Sequence, residues 1–448
     1  MQRLRRRVRD WPRPTRRGGV LLVAGAVIVV AALAFDLRDL LLPGFVAIAV
    51  PLVALGAIGL WRPELGVERR FEPAVAPAGT ASTVLLTVRN LGARVVDGAV
   101  WTDEASAGLY PPEESVLPAI GPYERILRSG DDTARLAYRL HLPRRGVHLV
   151  GPVRVHTTDP FGLARAGRAY GPAREIVVTP RVTPLGPGGA GSASIDGGLH
   201  SLMRRTHPNS DELTAREYRH GDPYRRVHWR ATARRGELMV RQEEQRGDPE
   251  AVLVLDTGLA GRLRSSEEVE LDGTVLRHGF ELGVELAASI GVRLLEEGFR
   301  LRFAETSDPR ESPSESGGFL LFPALGGESP FLEHLARIDR PAEPRHPRAR
   351  AAGEERDAMP GFAPAAGRRR PLYVVLVDPD EAVAEALVAA GGAFAPCVAF
   401  VLDSVRPSIV ERLEAEDWRC PRVRRHSDLA QEWSALAEAA RRAGGDAN

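Results

Sequence analysis

The residues best placed to do chemistry are three aspartates, each at the end of an apolar run. Asp256 ends the run AVLVLD, Asp378 ends PLYVVLVD and Asp403 ends CVAFVLD. Such runs, alternating with helical patterns, are typical of parallel strands that are buried on both faces. The carboxyl ends of these strands share one edge of the sheet, where neighbouring carboxylates could hold a hard cation such as Mg²⁺. A single aspartate in this position also commonly caps the next helix, so both interpretations stay open.

A second candidate is the arginine-rich segment of residues 216–245, REYRHGDPYRRVHWRATARRGELMVRQEEQ. His220 or His228 in this segment could act as a general base beside a metal held by Asp256 and Asp378, which would make the protein a hydrolase. The arginines and the aromatic residues between them could instead bind a nucleic acid. Acidic residues are interleaved with the arginines, however, and this arrangement favours Arg–carboxylate pairs inside the protein.

Composition restricts the classes of function. The chain has 60 Lys and Arg against 59 Asp and Glu, so its net charge gives no general attraction for a polyanion, and we expect no nucleic-acid partner. Its two cysteines support neither a disulfide framework nor a cysteine metal site. The sequence contains no Walker-type phosphate loop, HExxH or GxSxG. We therefore expect no catalytic residues and no cofactor.

The first 63 residues predict a basic tail and two transmembrane helices. Residues 18–35 and 40–61 are apolar runs that each approach the roughly 20 residues needed to cross a bilayer. Eight arginines lie within the first seventeen residues, which predicts a cytoplasmic amino terminus and cytoplasmic soluble domains on a multi-pass protein of the inner membrane. The alternative is a cleavable secretory signal, after which the second span would still return the chain inward.

Residues 64–185 predict an antiparallel β-sandwich. Short runs of alternating polar and apolar residues are separated there by turn sequences. In one of these turns, DPFGL, we expect Asp159 to cap the turn and Phe161 to fold back onto the core. Nothing in this region groups as a site.

The remainder predicts an α/β domain. Residues 186–212 are rich in Gly and Ser and predict a flexible linker. Residues 213–448 alternate strands with helices, which predicts a mostly parallel sheet, and residues 340–370 predict a flexible insertion. Thus the expected architecture is multidomain: a transmembrane helical hairpin, a β-sandwich and an α/β domain.

The order of these parts resembles the domain of unknown function 58 family. The similarity lies in the hairpin, in RRGVHLVGP and DPFGL, and above all in residues 216–244 ahead of the strand VLVLD. The resemblance implies a membrane-anchored protein with a von Willebrand factor A-like α/β domain. It also implies a MoxR-type AAA+ ATPase and other membrane proteins of the bacterial cell envelope as partners. The residues that carry the family motif are Arg216, Tyr218, Gly221, Asp222, Trp229, Arg234 and Arg235.

The resemblance sharpens the question of a metal. A functional von Willebrand-type site uses Asp-x-Ser-x-Ser, because two hydroxyls and a carboxylate contribute to an octahedral shell. This chain has DTGLA, with Gly258 and Ala260 in place of the hydroxyl residues. Asp256 and Asp378 match the two aspartates of such a site. We expect a degenerate site that could hold Mg²⁺ only weakly and that serves instead as an ordinary binding face.

The preferred function is therefore that of a non-enzymatic interaction protein, with the metal-dependent hydrolase and the nucleic-acid binder as alternatives. Within the arginine-rich segment, the pattern predicts a turn at GDP, a short helix in YRRVHWRATARR and an edge strand in ELMVRQEE. We expect Arg216, Asp222, Trp229 and Arg234 to attach this segment to the α/β body, with Trp229 packed inward.

Overall fold

The computed structural model of the chain describes residues 11–123, 130–186, 215–217, 227, 229–241, 249–257, 269–306, 319–338, 370–424 and 426–445. The chain divides into two compact units. One runs to Pro180 and includes Ala336–Ile338, and the other comprises Arg181–Leu335 and the residues from Asp339 onward. The predicted linker, residues 186–212, lies outside the described residues except for Gly186, and the predicted insertion at 340–370 does so except for Arg370.

Two apolar helices open the first unit. Helix α1 spans Arg16–Ala34 and α2 spans Leu41–Leu60, with a short 3-10 turn between them at Arg38–Leu40. Both helices are long and apolar enough to cross a membrane. They approach closely at two glycines, since a Cβ atom on Gly25 would lie 3.0 Å from the carbonyl oxygen of Gly44. Small residues at such a contact are typical of helices that pack within a bilayer.

The rest of this unit consists of two sheets around one core. One sheet has the strand order β2-β4-β7, and the other has β1-β9-β8-β10-β3, with β5 beside β8 and β6 beside β5. Side chains of both sheets, such as Leu86 and Val153, form a single buried cluster. The pairing is not wholly antiparallel as predicted, because β3 runs parallel to β10. The strands are β1 Arg13–Pro14, β2 Leu65–Glu72, β3 Val75–Pro77, β4 Thr80–Asn90, β5 Val100–Ala105, β6 Ser115–Val116, β7 Thr133–Leu142, β8 Gly146–Thr158, β9 Ala164–Tyr170 and β10 Arg174–Thr179.

A buried ion pair lies within this two-sheet unit. Arg69 donates from Nη2 to Asp103 Oδ1 at 2.5 Å, and the Tyr138 hydroxyl donates to Asp103 Oδ2 at 2.6 Å. The guanidinium lies against Gly151, where a Cβ atom would come within 2.3 Å of Arg69 Nη1. Gly151 also has a φ of +106°, which favours glycine. The sequence RRGVHLVGP thus provides the space in which Arg69 reaches Asp103.

The second unit contains an open α/β sheet. The strand order is β15-β14-β13-β16-β17, with all neighbours parallel except the antiparallel edge strand β15. Single bridges pair Val398 with Arg419 and Val401 with Arg422, so the chain continues the sheet in parallel beyond β17. The mostly parallel sheet was predicted, whereas β15 was not, because three residues are too few to show a period. The elements are β13 Glu250–Leu255, α4 Val269–Glu296, β14 Arg300–Glu305, β15 Leu320–Phe322, α5 Glu328–Arg337, β16 Arg370–Leu376, α6 Glu381–Gly391, β17 Phe394–Val401, α7 Pro407–Glu414 and α8 His426–Gly445.

We predict that Arg69→Ala destabilises the two-sheet unit by about 3 kcal/mol, because it leaves a buried carboxylate without its counter-charge. Hydrogen–deuterium exchange of β4 and β7 in the full-length protein measures this loss. Arg38→Ala is the matched control, since the ion pair of Arg38 with Asp36 is exposed. Equal protection in the Arg69 and Arg38 variants would contradict the account.

The Arg69→Ala variant should also depend on pH. Burial raises the pKa of Asp103 above its ordinary value of 3.8, and loss of the guanidinium raises it further. A carboxyl whose folded pKa is raised favours the folded state when it is protonated, so this contribution is lost as the pH rises through the folded pKa. We therefore expect the destabilisation to shrink as the pH is lowered through the raised pKa of Asp103.

Candidate functional site

Asp256 lies immediately after β13, at the carboxyl edge of the α/β sheet, and its side chain is fully buried. Its Oδ2 accepts hydrogen bonds from the backbone N–H groups of Val377 at 3.1 Å and Asp378 at 2.8 Å. Its Oδ1 accepts the hydroxyl of Thr306 at 2.9 Å. Asp256 therefore joins the carboxyl ends of three adjacent strands, β14, β13 and β16. The sequence placed Asp256 and Asp378 at one edge, and the structure brings them together.

The loop after β16 is held from its other side as well. Ser404 donates its hydroxyl to the carbonyl oxygen of Val377 in a short hydrogen bond. Arg406 donates to the carbonyl oxygen of Pro379 at 3.4 Å and pairs with Glu381 at 3.2 Å. Asp378, which is only 1% exposed, is thus enclosed in a loop whose backbone groups are bound on both sides.

The aspartates near the other strand ends have separate roles. Asp380 caps helix α6, where its Oδ1 accepts the N–H of Val383 at 2.8 Å. Asp403, after β17, is exposed and pairs with Arg424 at 3.3 Å. The capping interpretation therefore applies to the loop after β16, although the capping residue is Asp380 rather than Asp378. Asp403 does not join the pair formed by Asp256 and Asp378.

The donor set does not fit a magnesium site. One oxygen of Asp256 already accepts two backbone N–H groups and the other accepts a hydroxyl, which leaves little of the carboxylate for a cation. Gly258 and Ala260 supply no hydroxyls, and both lie outside the described residues. In the described part of the chain, no group of three or more His, Cys, Asp or Glu residues could hold a metal ion. The backbone N–H groups of residues 377 and 378 bind Oδ2 of Asp256 and the Thr306 hydroxyl binds Oδ1, so a metal would compete with these hydrogen bonds.

Residues outside the predicted set also belong to this edge. Thr306 and Ser404 supply the hydroxyls that hold the strand ends together, and Thr306 also accepts the N–H of Thr257 at 3.0 Å. Glu305, the last residue of β14, approaches His334 Nε2 at 3.3 Å. No spacing in the sequence indicates these partners, because each pair is separated by 27 to 50 residues.

Part of the arginine-rich segment lies among the described residues, and we call residues 215–217, 227 and 229–241 the collar. Its described elements are β11 Ala215–Glu217, helix α3 Trp229–Arg235 and β12 Met239–Arg241. The predicted short helix and the predicted strand are both present. The partner of β12 is β11, which contains Arg216, in an antiparallel pair. Thr232 accepts the N–H of Met239 at 3.0 Å, so its hydroxyl fixes the helix to the strand.

The predicted inward packing of Trp229 is wrong. Its side chain is 69% exposed, whereas Val227 is 5% exposed and Met239 is 1% exposed. The inward positions of the collar are thus taken by an aliphatic residue two positions before the helix and by the first residue of β12. Trp229 is the first residue of α3, where the helix does not require it to be buried.

Arg234 and Arg235 lie exposed at the carboxyl end of α3, together with the exposed Glu237. Positive charge is favourable there because the last carbonyl groups of a helix carry partial negative charge. Gly236 follows with a φ of +77° and ends the helix. Arg234 is therefore an exposed residue at the end of α3, and its predicted attachment to the α/β body stays a prediction. Tyr218, His220, Gly221, Asp222 and His228 lie outside the described residues, and so does the predicted GDP turn.

A comparison with known protein families matches the region that contains the collar and Asp256. Residues 214–382 match the family described as Protein of unknown function DUF58. This range includes every residue of the predicted family motif as well as Asp256 and Asp378, and it confirms the family predicted from the sequence. No curated protein matches the chain.

Among solved structures, two of the CARDB domain of a Pyrococcus furiosus protein align with part of the chain. One is a crystal structure in complex with di-metal ions and the other is a solution NMR structure. Each is 13% identical to this chain and aligns with a TM-score of 0.16. The alignments cover 24% of this chain, 89% of the crystal structure and 94% of the NMR structure. A TM-score this low supports no inference about fold or ligand.

We predict that Asp256→Ala destabilises the α/β sheet by about 3 kcal/mol or more, because it leaves two buried N–H groups and one hydroxyl without their acceptor. Chemical unfolding of the full-length protein, followed by hydrogen exchange of β13 and β16, measures the effect. Asp403→Ala is the control, because that side chain is largely exposed. If the Asp256→Ala protein were as stable as the unchanged protein, the hydrogen bonds accepted by Asp256 would not be needed for the stability of the sheet. Stabilisation of the unchanged protein by Mg²⁺, lost in the variant, would restore the metal interpretation.

Proposed function

Residues 214–382 of this chain belong to the DUF58 family, and from that premise we propose a membrane-anchored, non-enzymatic interaction protein. In this proposal the two apolar helices cross the inner membrane, and the α/β unit presents a docking face in the cytoplasm. The partner is a MoxR-type AAA+ ATPase of the bacterial cell envelope, the partner class that the family resemblance implies. Other membrane proteins belong to the same assembly.

The exposed Trp229 is the observation that carries the proposal. A tryptophan that is 69% exposed within one turn or two of Arg234 and Arg235 combines the two residue types that most often dominate protein–protein binding. Tryptophan and arginine are both enriched among the residues that contribute most to protein–protein binding. We therefore assign the docking face to α3 of the collar, with an apolar pocket and acidic residues on the partner.

Exposed apolar helix faces support membrane anchorage. Val23, Val30 and Leu52 are each more than half exposed, and only 17% and 22% of the apolar windows of the two helices are buried in the protein. A soluble monomer rarely exposes an apolar surface of this extent, and lipid would cover it. The arginines of the first seventeen residues support the cytoplasmic orientation.

The sheet order supports a von Willebrand factor A-like α/β domain. Counted along the chain, the strands lie in the order three, two, one, four, five, with the third antiparallel. This order belongs to the doubly wound sheets, which bind ligands at the carboxyl ends of their strands. In this chain the equivalent edge is closed by the hydrogen bonds of Asp256, and a hydrolase that used Asp256 and Asp378 would have to break them. That alternative is accordingly less well supported.

We predict that Trp229→Ala leaves the protein folded and strongly weakens capture of the ATPase. Removal of a central tryptophan commonly costs 2 kcal/mol or more of binding free energy, which corresponds to roughly thirtyfold weaker binding. Crosslinking and quantitative mass spectrometry of the full-length protein, purified from solubilised membranes, measure the recovery of each partner.

Leu325→Ala is the matched control, since Leu325 is 93% exposed in the same unit and lies outside the collar. Recovery of the ATPase that is equal in both variants would contradict the docking face. Failure to recover any ATPase with the unchanged protein would contradict the partner. Tight binding of DNA or RNA with a steep dependence on salt would instead favour the nucleic-acid alternative.

A further inference from the structure

We infer that the first turns of helix α1 form a binding site for an anionic phospholipid. The site is a groove of about 500 Å³ lined by two arginines and four apolar residues. Its lining residues are Arg16, Arg17, Val20, Leu21, Ala24 and Leu163. This inference rests on the proposed membrane anchorage.

The β9 edge of the two-sheet unit builds one wall of the groove. Residues 13 and 14 pair with residues 165 and 164 of β9, and Thr15 donates its N–H to the carbonyl oxygen of Leu163 at 2.8 Å. The approach is so close that a Cβ atom on Gly18 would lie 2.1 Å from that oxygen. Glycine is therefore required at position 18. The groove lies where α1 leaves this contact, with Leu163 on one side and α1 on the other.

The sequence DPFGL forms the turn that shapes this wall. Asp159 caps it as predicted, accepting the N–H groups of Phe161 at 2.9 Å and Leu163 at 2.7 Å. The predicted packing of Phe161 on the core is wrong, because its side chain is 73% exposed. The Asp159 carboxylate and the hydrogen bond from the Gly162 N–H to the Asp159 carbonyl oxygen close the turn without Phe161, whose side chain points outward. Trp11, 74% exposed, comes shortly before the same pairing.

The lining of the groove is apolar and includes the stems of Arg16 and Arg17, whose charged ends lie beside it. Arg16 and Arg17 begin helix α1 and are exposed, and the guanidinium of Arg17 lies beside the turn, 3.9 Å from the position of a Cβ atom on Gly162. The Asp159 carboxylate in that turn is bound by backbone N–H groups. Below the arginines, Val20 and Ala24 extend the groove about 12 Å along the helix. Arginines suit a phosphate, and the apolar residues suit an acyl chain.

The position of the groove favours a lipid over a soluble phosphate. Its mouth is at the end of an apolar helix, where exposed aromatic residues such as Trp11 and Phe161 are typical of the membrane interface. The opposite end of the hairpin carries Asp36, Arg38 and Asp39, and therefore lacks an excess of positive charge. Exposed arginines beside an apolar groove can bind an acidic headgroup while the groove holds its acyl chain.

The test compares phosphatidylglycerol with phosphatidylcholine, bound to the full-length protein in detergent and measured by native mass spectrometry. We expect tighter binding of phosphatidylglycerol, and a loss of roughly tenfold to thirtyfold in Arg16→Gln/Arg17→Gln. Arg38→Gln is the control and should bind like the unchanged protein. Equal affinity for the two lipids, or unchanged affinity in the double variant, would overturn the inference.

A second variant separates the acyl chain from the headgroup. Ala24→Phe fills the apolar part of the groove and keeps both arginines, so it should weaken phosphatidylglycerol binding. Glycerol phosphate, which has no acyl chain, should bind the unchanged protein less tightly than phosphatidylglycerol does. Unchanged lipid binding in Ala24→Phe, or equally tight binding of glycerol phosphate, would overturn the site as a lipid groove. Hydrogen exchange of β8 and β9 checks that each variant stays folded.

Extraction of membranes at alkaline pH separates this inference from the proposed function. If the unchanged protein leaves the membrane, the anchorage itself is wrong and the lipid site fails with it. If the protein stays in the membrane but does not distinguish the two lipids, only the lipid site is wrong.

Discussion

The pairing of residues 13–15 with the segment after DPFGL is the constraint on which the first unit depends. An apolar hairpin and a two-sheet unit have opposite preferences for solvent, and a loose connection would let them move independently. Here the backbone of Thr15 is hydrogen-bonded to Leu163, and its hydroxyl also donates to Gly162 at 2.6 Å. At the end of α2, Tyr170 donates to the carbonyl oxygen of Pro63 at 2.8 Å. The start of α1 and the segment after α2 are therefore both hydrogen-bonded to β9 or to the residue that precedes it.

Backbone hydrogen bonding also explains the buried carboxylate of Asp256 at the sheet edge of the α/β unit. Three parallel strands end there with backbone N–H groups that need acceptors, and water is excluded from the buried edge. Asp256 satisfies two of these groups and Thr306 through one carboxylate. A carboxylate in this position has a purely structural explanation, so its burial does not call for a metal. The exposed side chains that we propose for partner binding, Trp229, Arg234 and Arg235, lie instead on the collar.

Regular patterns made much of the fold predictable. Uninterrupted apolar runs predicted the helices α1 and α2, and short apolar runs ending in aspartate predicted β13 and β16. Contacts between distant residues were not predictable, since nothing in the spacing of Asp256 and Thr306 indicates that they meet. Aromatic residues were the main error, because Trp229 and Phe161 were expected inside. Val227 and Met239 are instead the buried residues of the collar, and the Asp159 carboxylate closes the DPFGL turn without Phe161. Hydrophobicity alone predicts that a large aromatic side chain is buried, but Trp229 and Phe161 are both exposed.

We propose that the amino-terminal hairpin lies in the bilayer. The most direct test is the power saturation of a spin label at Val23→Cys, in a Cys397→Ser/Cys420→Ser protein reconstituted into liposomes. Val23 is 65% exposed in the protein, so the label reports the surrounding medium. The account predicts that dissolved oxygen relaxes the label strongly and an aqueous nickel chelate hardly at all. Strong relaxation by the nickel chelate would place the helix in water and contradict the account.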